Sequence, residues 1–546
     1  MGIKAKEIKR RYELLKSERS NWETWWQDLT KYCIPRKARI TEQKASGQKH
    51  DTDVYDSTAR DSVKVFAAGL MGYLTNPQSV WFKLRTDDEE DMDAEGVRTF
   101  LSKAEKKIND VFHGSNFYQQ LHQLYEAIAV IGTVCFYSEK DAKTKIRYYC
   151  RPIREIFFEE DAQERVDTVI RAFELTVKQA YDKWGDKAGK TVAKLYKANK
   201  YGDKLLFLHG VGPRESFDAS KRDKKNKPIY SVWVSVEDVL KIEEGGYDEM
   251  PFNVARADKE SCEKHGYSFA MDVEPAIRMA NKERYIIIRA AMKATDPPYL
   301  LPHPNFVLPF NMNAGAANYK LQATGAGSDE KVEVFKHEGQ VHIGREDLQA
   351  TQEEIKRGFF TDLFLMLADR KNMTAEEVMR RIEEKMFILG PTLGRLQSEL
   401  LSLTIERTFN MLLREGEFGE LPETFQNNPN FKIVYVSVLA NAQRSAEVRA
   451  IQNFVLNVRE IAQISPNAID IPNADAIVKK IAEITGVDPE LLNEDAVIKL
   501  KREQRAELEK ITRQIQLAGA GAQVAKTGAE AAQTGAEAQT AGAGKE

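Results

Sequence analysis

Residues 274–294 have the sequence EPAIRMANKERYIIIRAAMKA, which favours a helix, and Asp296-Pro297-Pro298 ends that helix. A second helix is predicted at about Glu346–Asp369, because its apolar residues fall on one face. These residues are Leu348, Ile355, Phe359, Leu363 and Met366. The chain between the helices is rich in Pro, Gly, Asn and Ala, with strand candidates at Asn305–Phe310 and Lys331–Phe335. Two similar helices around a small non-helical module predict an antiparallel stalk with a cap at its far end.

Downstream of this stalk, the sequence predicts a very long helix with a kink. Thr374-Ala375-Glu376-Glu377 matches the S/T-x-x-E capping box, in which Thr374 caps the helix and Glu377 reaches back to it. Helical sequence continues to about Arg414. Gly390 and Pro391 interrupt it, because proline lacks the N–H for one hydrogen bond and clashes with the preceding turn.

The rest of the chain mixes helices with short strands. The predicted elements are a helix at about Ile3–Tyr32, a helix that is capped by Asp56 or Ser57 and runs through Leu74, strands at Trp81–Arg85 and Phe431–Val436, and a β-rich block at about Val134–Val236. Trp22, Trp25, Trp26 and Leu29 share one face of the first helix and are expected to be core residues. The predicted fold class is therefore α+β and predominantly α-helical.

The C-terminal part differs in composition from the rest. Residues 441–517 are predicted to form helices broken at Pro466, Pro472 and Pro489. Residues 518–546 are a low-complexity tail of Ala, Gly, Gln and Thr, which is expected to be disordered alone or weakly helical beside neighbouring copies.

The composition of the 546-residue chain indicates a well-solvated globular protein, with 42% hydrophobic and 30% charged residues. Lys and Arg total 80 against 83 Asp and Glu, and this net charge of -3 disfavours a tight nucleic-acid binder. The 4 cysteines form no CxxC pair and are expected to be reduced thiols of a protein made inside a cell. We expect neither a signal peptide nor a transmembrane helix, because no apolar run is long enough.

Three segments resemble catalytic or metal-binding motifs, but none of them has the residues and spacing that its motif requires. Gly185–Thr191 has too few residues between its glycines for a P-loop, so a helix–loop–helix turn is favoured. His337 and His342 are too far apart for HExxH, and a β-turn is the better interpretation. The acidic run 87–91 favours the solvated start of a helix over a metal site. No enzymatic activity, cofactor or metal is expected.

Several phrases, taken in order, resemble the portal (head-to-tail connector) proteins of short-tailed bacteriophages. The strongest is Met373–Val378, followed by Leu389–Pro391 and Gly394–Gln397. Shorter matches lie at Asp56–Ala59, Ala67–Leu70, Leu74–Pro77, Trp81–Phe82 and Leu439–Arg444. The similarity spans about 11–449. Residues 263–268 depart from the Tyr-Gly-Arg-Ser-Pro phrase of that family, and this departure concerns a local turn rather than the fold.

The resemblance implies a portal-like fold with named regions along the chain. These are a wing at 1–273, stem helices at 274–294 and 345–368 with a clip at 295–344 between them, a tunnel loop at 369–373, the long kinked helix and a wing strand at 374–440, a helical crown at 441–517 and the tail at 518–546.

The resemblance also implies a homo-oligomeric ring, usually of twelve subunits, at the capsid vertex where the head of the virion meets the tail. Assembly would take place in the host cytoplasm, and double-stranded DNA would pass through the ring during packaging and ejection. The implied partners are the major capsid and scaffolding proteins, the packaging terminase ATPase, and later the tail adaptor and nozzle proteins, with no membrane.

Candidate channel residues follow from the implied ring. The tunnel-loop candidates are Asp369, Arg370, Lys371, Asn372 and Met373. The channel-facing stem candidates are Lys282, Arg289, Lys356 and Arg357, each of which could instead be solvated or form ion pairs between subunits. A near-neutral chain suits a conduit, because neutralising many phosphates would hold the duplex fast.

Two other classes of protein stay open at this point. A capsid-internal or scaffolding-like protein without a channel is disfavoured by the stalk-and-cap pattern. A nucleotide-driven motor subunit is disfavoured by the defective P-loop.

Overall fold

The computed structural model describes 4–42, 47–48, 53–86, 96–218, 220–221, 223–303, 311, 313, 315–321, 333–334, 341–365, 388–422, 431–436, 448, 450–461, 467, 471–485 and 497–512. These residues form helices and strands in one mixed α+β chain, so the predicted class is confirmed. The chain divides into two compact units, Met1–Ala442 and Gln443–Glu546.

The helices and strands of the first unit are as follows. The helices are α1 Ala5–Glu18, α2 Ser20–Cys33, α3 Thr58–Leu74, α4 Val97–Gly114, α5 Phe117–Ile131, α6 Val177–Trp184, α7 Lys190–Lys197, α8 Phe269–Asp272, α9 Glu274–Thr295, α10 Val341–Gly358, α11 Thr361–Leu365 and α12 Leu403–Arg414. The strands are β1 Phe82–Arg85, β2 Thr133–Asp141, β3 Lys145–Arg151, β4 Ile156–Glu160, β5 Val166–Thr176, β6 Lys204–Pro213, β7 Ile229–Ser235, β8 Leu240–Tyr247, β9 Phe252–Arg256, β10 Tyr299–His303, β11 Ala317–Leu321, β12 Glu333–Val334 and β13 Lys432–Tyr435.

The N-terminal region contains two helices, so the prediction of one helix from Ile3 to Tyr32 is wrong at Arg19. The Arg19 side chain is only 2% exposed, and its guanidinium donates to the carbonyl oxygen of Ile153 at 2.9 Å. It also lies 3.7 Å from the centre of the Phe157 ring. Anchoring Arg19 in this way separates α1, which packs on the large sheet, from α2, whose Trp26 is fully buried in the main core as predicted.

The strands form three sheets in the body of this unit. The largest has the order β4-β5-β6-β7-β8 with antiparallel neighbours, and a second has the order β3-β2-β9. In a third, β1 pairs antiparallel with β13 and matches Phe82 to Tyr435. The side chains of β1 alternate between buried and half-buried, as predicted for a strand with one face on the core.

The P-loop-like segment forms the predicted turn between two helices. A short 3₁₀ turn, Gly185–Ala188, connects α6 to α7. The hydroxyl of Thr191 donates to the carboxylate of Asp238 at 2.7 Å. The backbone amide of Thr191 donates to the same carboxylate, so Asp238 fixes the start of α7.

The turn at residues 263–268 is built into the core. His265 is 8% exposed, and its ring lies 4.9 Å from the rings of Trp26 and Phe158. Burial lowers the pKa of His265 to about 3. His265, which lies at the local departure from the resembled family, is therefore a packing residue of this turn.

The first stalk helix agrees with its prediction, whereas the second is interrupted. α9 spans Glu274–Thr295, but α10 begins at Val341 and ends at Gly358. Phe360 has a φ of 53° and separates α10 from α11, which begins at Thr361, so the predicted continuous helix 346–369 is wrong here. A Cβ on Gly358 would lie 2.2 Å from a Val273 methyl, so this close approach requires glycine.

The module between α9 and α10 contains a small sheet in which β10 pairs parallel with β11 and antiparallel with β12. The predicted strand at Lys331–Phe335 corresponds to β12, whereas β10 and β11 were not predicted. The predicted strand Asn305–Phe310 lies outside the described residues, as do His337 and residues 87–91.

The long helix is described from residue 388 onwards. Residues 388–396 are helical and include Gly390 and Pro391, and a π-helical turn at Gln397–Ser402 leads into α12. The capping box at 374–377 and the tunnel-loop candidates at 369–373 lie outside the described residues. The kink at Pro391 therefore stays a prediction.

The second unit contains three described helices. They are helix 450–461, α13 Ala474–Thr485 and helix 497–512. Each is helical as the sequence predicted, and residues 518–546 lie outside the described part.

Candidate functional site

The central feature of the first unit is the pair formed by α9 and α10. The buried residues on α9 include Ala276, Ala280 and Ile287. Leu348 and Ile355 of α10 belong to the same buried cluster. A Cβ on Gly344 would lie 3.4 Å from Ile287, so small residues on both helices allow their axes to approach closely.

The N-terminal helices hold the base of this pair in place. Glu274 accepts a hydrogen bond from the indole N–H of Trp25, and Arg278 lies 3.0 Å from Asp28. Asn281 accepts a hydrogen bond of 2.6 Å from the backbone amide of Tyr55. These contacts come from distant parts of the sequence, so the stalk is anchored on one side.

The second stalk helix is held by the same part of the chain. The side-chain amide of Gln352 donates to the carboxylate of Asp56 at 2.6 Å. α11 packs on α3, where a Cβ on Gly69 would lie 2.2 Å from the ring of Phe364. The chain that leads towards residues 369–373 therefore starts from a closely packed site.

The four basic stem candidates are all exposed on this pair. Arg289 lies 5.6 Å from the ring centre of Tyr285, and Arg357 lies 3.8 Å from Glu353. Lys282 is solvent-exposed on the same face of α9 as Arg289. The structure therefore places these cations where a large partner could reach them.

Sequence reasoning missed several exposed apolar residues on α9, and two of them lie beside basic stem candidates. Met279 is 49% exposed and Ile286 is 54% exposed. They alternate with Lys282 and Arg289 at steps of three and four residues, so all four share one helix face. This spacing was visible in the sequence. Only the packing of α9, however, shows that these residues lie on its exposed face rather than on its buried face.

A carboxyl group lies between the two stalk helices. Burial raises the pKa of Glu283, the nearby Thr351 hydroxyl lowers it, and the carboxylate of Asp347 raises it again. The Thr351 hydroxyl donates its hydrogen bond to the backbone carbonyl of Asp347, and both carboxylate oxygens of Glu283 are buried without a hydrogen-bond partner. Sequence reasoning did not single out Glu283, because its environment exists only when α9 and α10 pack together.

The long helix is tied to the sheets by buried arginines. Arg256, 3% exposed, lies 2.6 Å from Glu399 of the π-helical turn and also pairs with Glu160 of β4. Arg407 of α12 donates to the hydroxyl of Ser138 at 2.8 Å and lies 3.5 Å from Glu249. Removing one partner would leave buried charge unpaired, so these pairs set the position of the helix.

Nothing in the described part of the chain forms a metal centre, since no three His, Cys, Asp or Glu side chains there are grouped to hold an ion. Among the described helices, none combines the length and apolar character needed to cross a membrane.

Comparison with known proteins gives consistent matches over most of the chain. A family described as "Bacteriophage head to tail connecting protein" matches residues 5–492. The "Probable portal protein" of Bordetella phage BPP-1 is 30% identical over 518 residues, which cover 94% of this chain and 93% of that protein. The "Portal protein" of Salmonella phage epsilon15 is 30% identical over 524 residues, which cover 93% and 92%.

Among solved structures, the virion of a native gene transfer agent particle contains a chain with a TM-score of 0.28 and 10% identity. That match covers 67% of this chain and 88% of the other, and its TM-score is too low to support an argument about the fold. The sequence matches carry the assignment alone: the chain belongs to the bacteriophage head-to-tail connecting proteins, the family of the phage portal proteins.

Proposed function

We propose that this chain forms a closed homo-oligomeric ring, of twelve subunits, at one vertex of the phage capsid. The ring is a channel through which double-stranded DNA enters during packaging and leaves during ejection. The single observation that carries the proposal is the antiparallel pair of α9 and α10, anchored at its base and joined by a small sheet. Family membership supplies the setting.

The regions of the ring follow the sequence. We propose a wing from residues 1–273, a stem from 274–294 and 345–368, and a clip from 295–344. A tunnel loop at 369–373 faces the DNA, residues 374–440 supply the long kinked helix and a wing strand, and residues 441–517 form the crown. The tail at 518–546 follows the crown.

The role of the chain is structural rather than enzymatic. The packaging terminase ATPase supplies the work and docks on the ring, and tail adaptor and nozzle proteins later take its place. The major capsid and scaffolding proteins surround the ring during assembly in the host cytoplasm. A chain with a net charge of -3 neutralises few DNA phosphates and therefore releases few counterions. The ring then binds the DNA weakly, so the duplex can slide through the channel.

The basic stem residues divide into two groups in this proposal. Lys282 and Arg289 share their helix face with the exposed Met279 and Ile286, and such a mixed face fits contact with a neighbouring subunit. Lys356 and Arg357 lie on the other stalk helix, α10, and we propose that they face the channel with Arg370 and Lys371 of the tunnel loop.

Electron microscopy of the purified protein, together with its mass in solution, tests the ring. The expected result is a closed ring with a hole wide enough for duplex DNA. Filaments, or closed particles without a channel, would favour the scaffolding-like alternative instead. If rings are absent both from the purified protein and from capsid vertices, the proposal is wrong.

The stem residues are tested by two matched double variants. Lys356→Ala with Arg357→Ala is expected to change DNA packaging while the mass of the ring stays the same. Lys282→Ala with Arg289→Ala is expected to lower the stability of the ring itself. The reverse assignment of the two effects would contradict the division proposed here.

A further inference from the structure

Helix 497–512 carries an exposed apolar stripe. Its members are Val497, Leu500, Leu508 and Ile511, which are 38%, 57%, 62% and 52% exposed. At about 100° per residue these four lie within about 80° of one another around the helix, and Gln504 fills the gap between them. Nothing in the part of the chain that the structure describes covers this apolar stripe.

Helix 497–512 is bound to α13 of the same unit, and its apolar stripe lies on the side opposite to this contact. Arg502 donates two hydrogen bonds to the two carboxylate oxygens of Asp475 on α13, at 2.6 and 2.5 Å. Arg502 lies about 160° around the helix from Gln504, the centre of the stripe. The ion pair therefore fixes one face on α13 and leaves the opposite, apolar face outward.

The charges beside the apolar stripe differ in sign between its two edges. Lys501 and Arg505 lie on one edge, and Glu503 and Glu507 lie on the other. When two helices pack in parallel through such a stripe, the edge of one faces the opposite edge of the other. In an antiparallel pair the basic edge of one helix would face the basic edge of the other, and the two acidic edges would likewise face each other. Such a pair would bring like charges together. The charge pattern thus fits a parallel partner with the same sequence.

We propose that helix 497–512 packs in parallel against the same helix of a second copy of this chain. The apolar stripe forms the contact, and the basic edge of one copy lies beside the acidic edge of the other. The inference rests on the proposed ring, because subunits related by rotation about one axis all point the same way. In such a ring each helix has two neighbours, so it meets one neighbour with the basic side of its stripe and the other neighbour with the acidic side. It goes further than the ring itself by naming the surface that joins the C-terminal units.

Disulfide cross-linking in the full-length protein tests the parallel contact. In a Cys262→Ser background, which removes the exposed native thiol, Val497→Cys should cross-link to itself between copies. Val497 is near one end of the helix, so an antiparallel pair would keep the two thiols far apart. Ala506→Cys, on the opposite face of the same helix, is the matched control and should give several-fold less cross-linked dimer.

The edge charges are tested in the same background. Arg505→Glu should lower the yield of the Val497→Cys cross-link several-fold at low salt, and adding Glu507→Arg should restore it. Rings that form normally without the Val497→Cys cross-link would overturn the contact while leaving the proposed ring intact. If no rings form in any variant or in the parent, the proposed ring fails first and this inference fails with it.

Discussion

Replacing Gly69 by alanine should loosen the contact between α3 and α11. An added Cβ at Gly69 would lie 2.2, 2.3 and 2.5 Å from three carbons of the Phe364 ring. Phe364 is only 8% exposed and lies 5.8 Å from the ring of Phe66, so the ring has little room to move aside. Gly72, one turn later in the same helix, has no atom within 4 Å of the corresponding position.

The two substitutions should change the stability of the protein differently. Both gain the higher helix propensity of alanine, but only the one at Gly69 also overpacks the core. Glycine to alanine inside a helix stabilises a protein by about 1 kcal/mol, and less near a helix end. At Gly69 the added methyl group also overpacks the core, which typically costs about 1–3 kcal/mol. Gly72→Ala should therefore raise stability by about 0.5–1 kcal/mol, whereas Gly69→Ala should lie about 1–3 kcal/mol below it.

Thermal unfolding of both variants, at one protein concentration and scan rate, measures this difference. A variant combining Gly69→Ala with Phe364→Leu should recover part of the loss, because the smaller side chain makes room for the methyl group. Equal melting temperatures for Gly69→Ala and Gly72→Ala would refute the reasoning. A double variant that is no more stable than expected from the two single changes would place the strain elsewhere.

Three further predictions concern a buried carboxyl group, a buried ion-pair network and the proposed helix kink. Burial raises the pKa of Glu105 to about 7 in the folded protein, above its unfolded value of 4.5. The contribution of Glu105 to stability is therefore fully present below pH 4.5, and it is lost as the pH rises through 7. Glu105→Gln should therefore stabilise the protein by about 1–3 kcal/mol at pH 8 and change little near pH 4, as followed by urea unfolding at both pH values. Arg256→Ala should destabilise by about 3–5 kcal/mol, because it leaves Glu399 without its buried partner and Glu160 with Lys259 as its remaining cation. An unchanged melting temperature would count against this network. Replacing Gly390 and Pro391 together by alanine should impair ring assembly or DNA packaging, as counted by electron microscopy and by packaged DNA, whereas normal packaging would show that the proposed kink is not needed.

Local sequence rules predicted most of the elements that positioned the candidate site. α9 agrees with its prediction because its apolar spacing and the prolines that end it act within a few residues. α6 begins with a signal of the same local kind, because Thr176 forms a capping box with Gln179. Such local signals need no knowledge of distant contacts.

The errors have a common cause in contacts between distant residues. The break after α1 depends on Arg19 reaching the carbonyl oxygen of Ile153, and the break after α10 depends on Gly358 lying against Val273. Strand β11 depends on pairing with β10 across a separate segment of chain. A window of neighbouring residues contains none of these partners, so propensity alone extended the helices and missed the strand.

The sequence by itself determined the α+β class, the two stalk helices around a non-helical module, and the ordered phrases that resemble portal proteins. These features rest on periodicity, prolines and residue order, which any reader of the chain can count. Only the tertiary structure decided which faces of those helices are covered. Met279 and Ile286 became notable only when α9 was seen to bury its other face on α10, and Glu283 gained its raised pKa only from that packing. Exposure and pKa depend on what lies opposite a side chain, and that is a property of the folded chain rather than of its order.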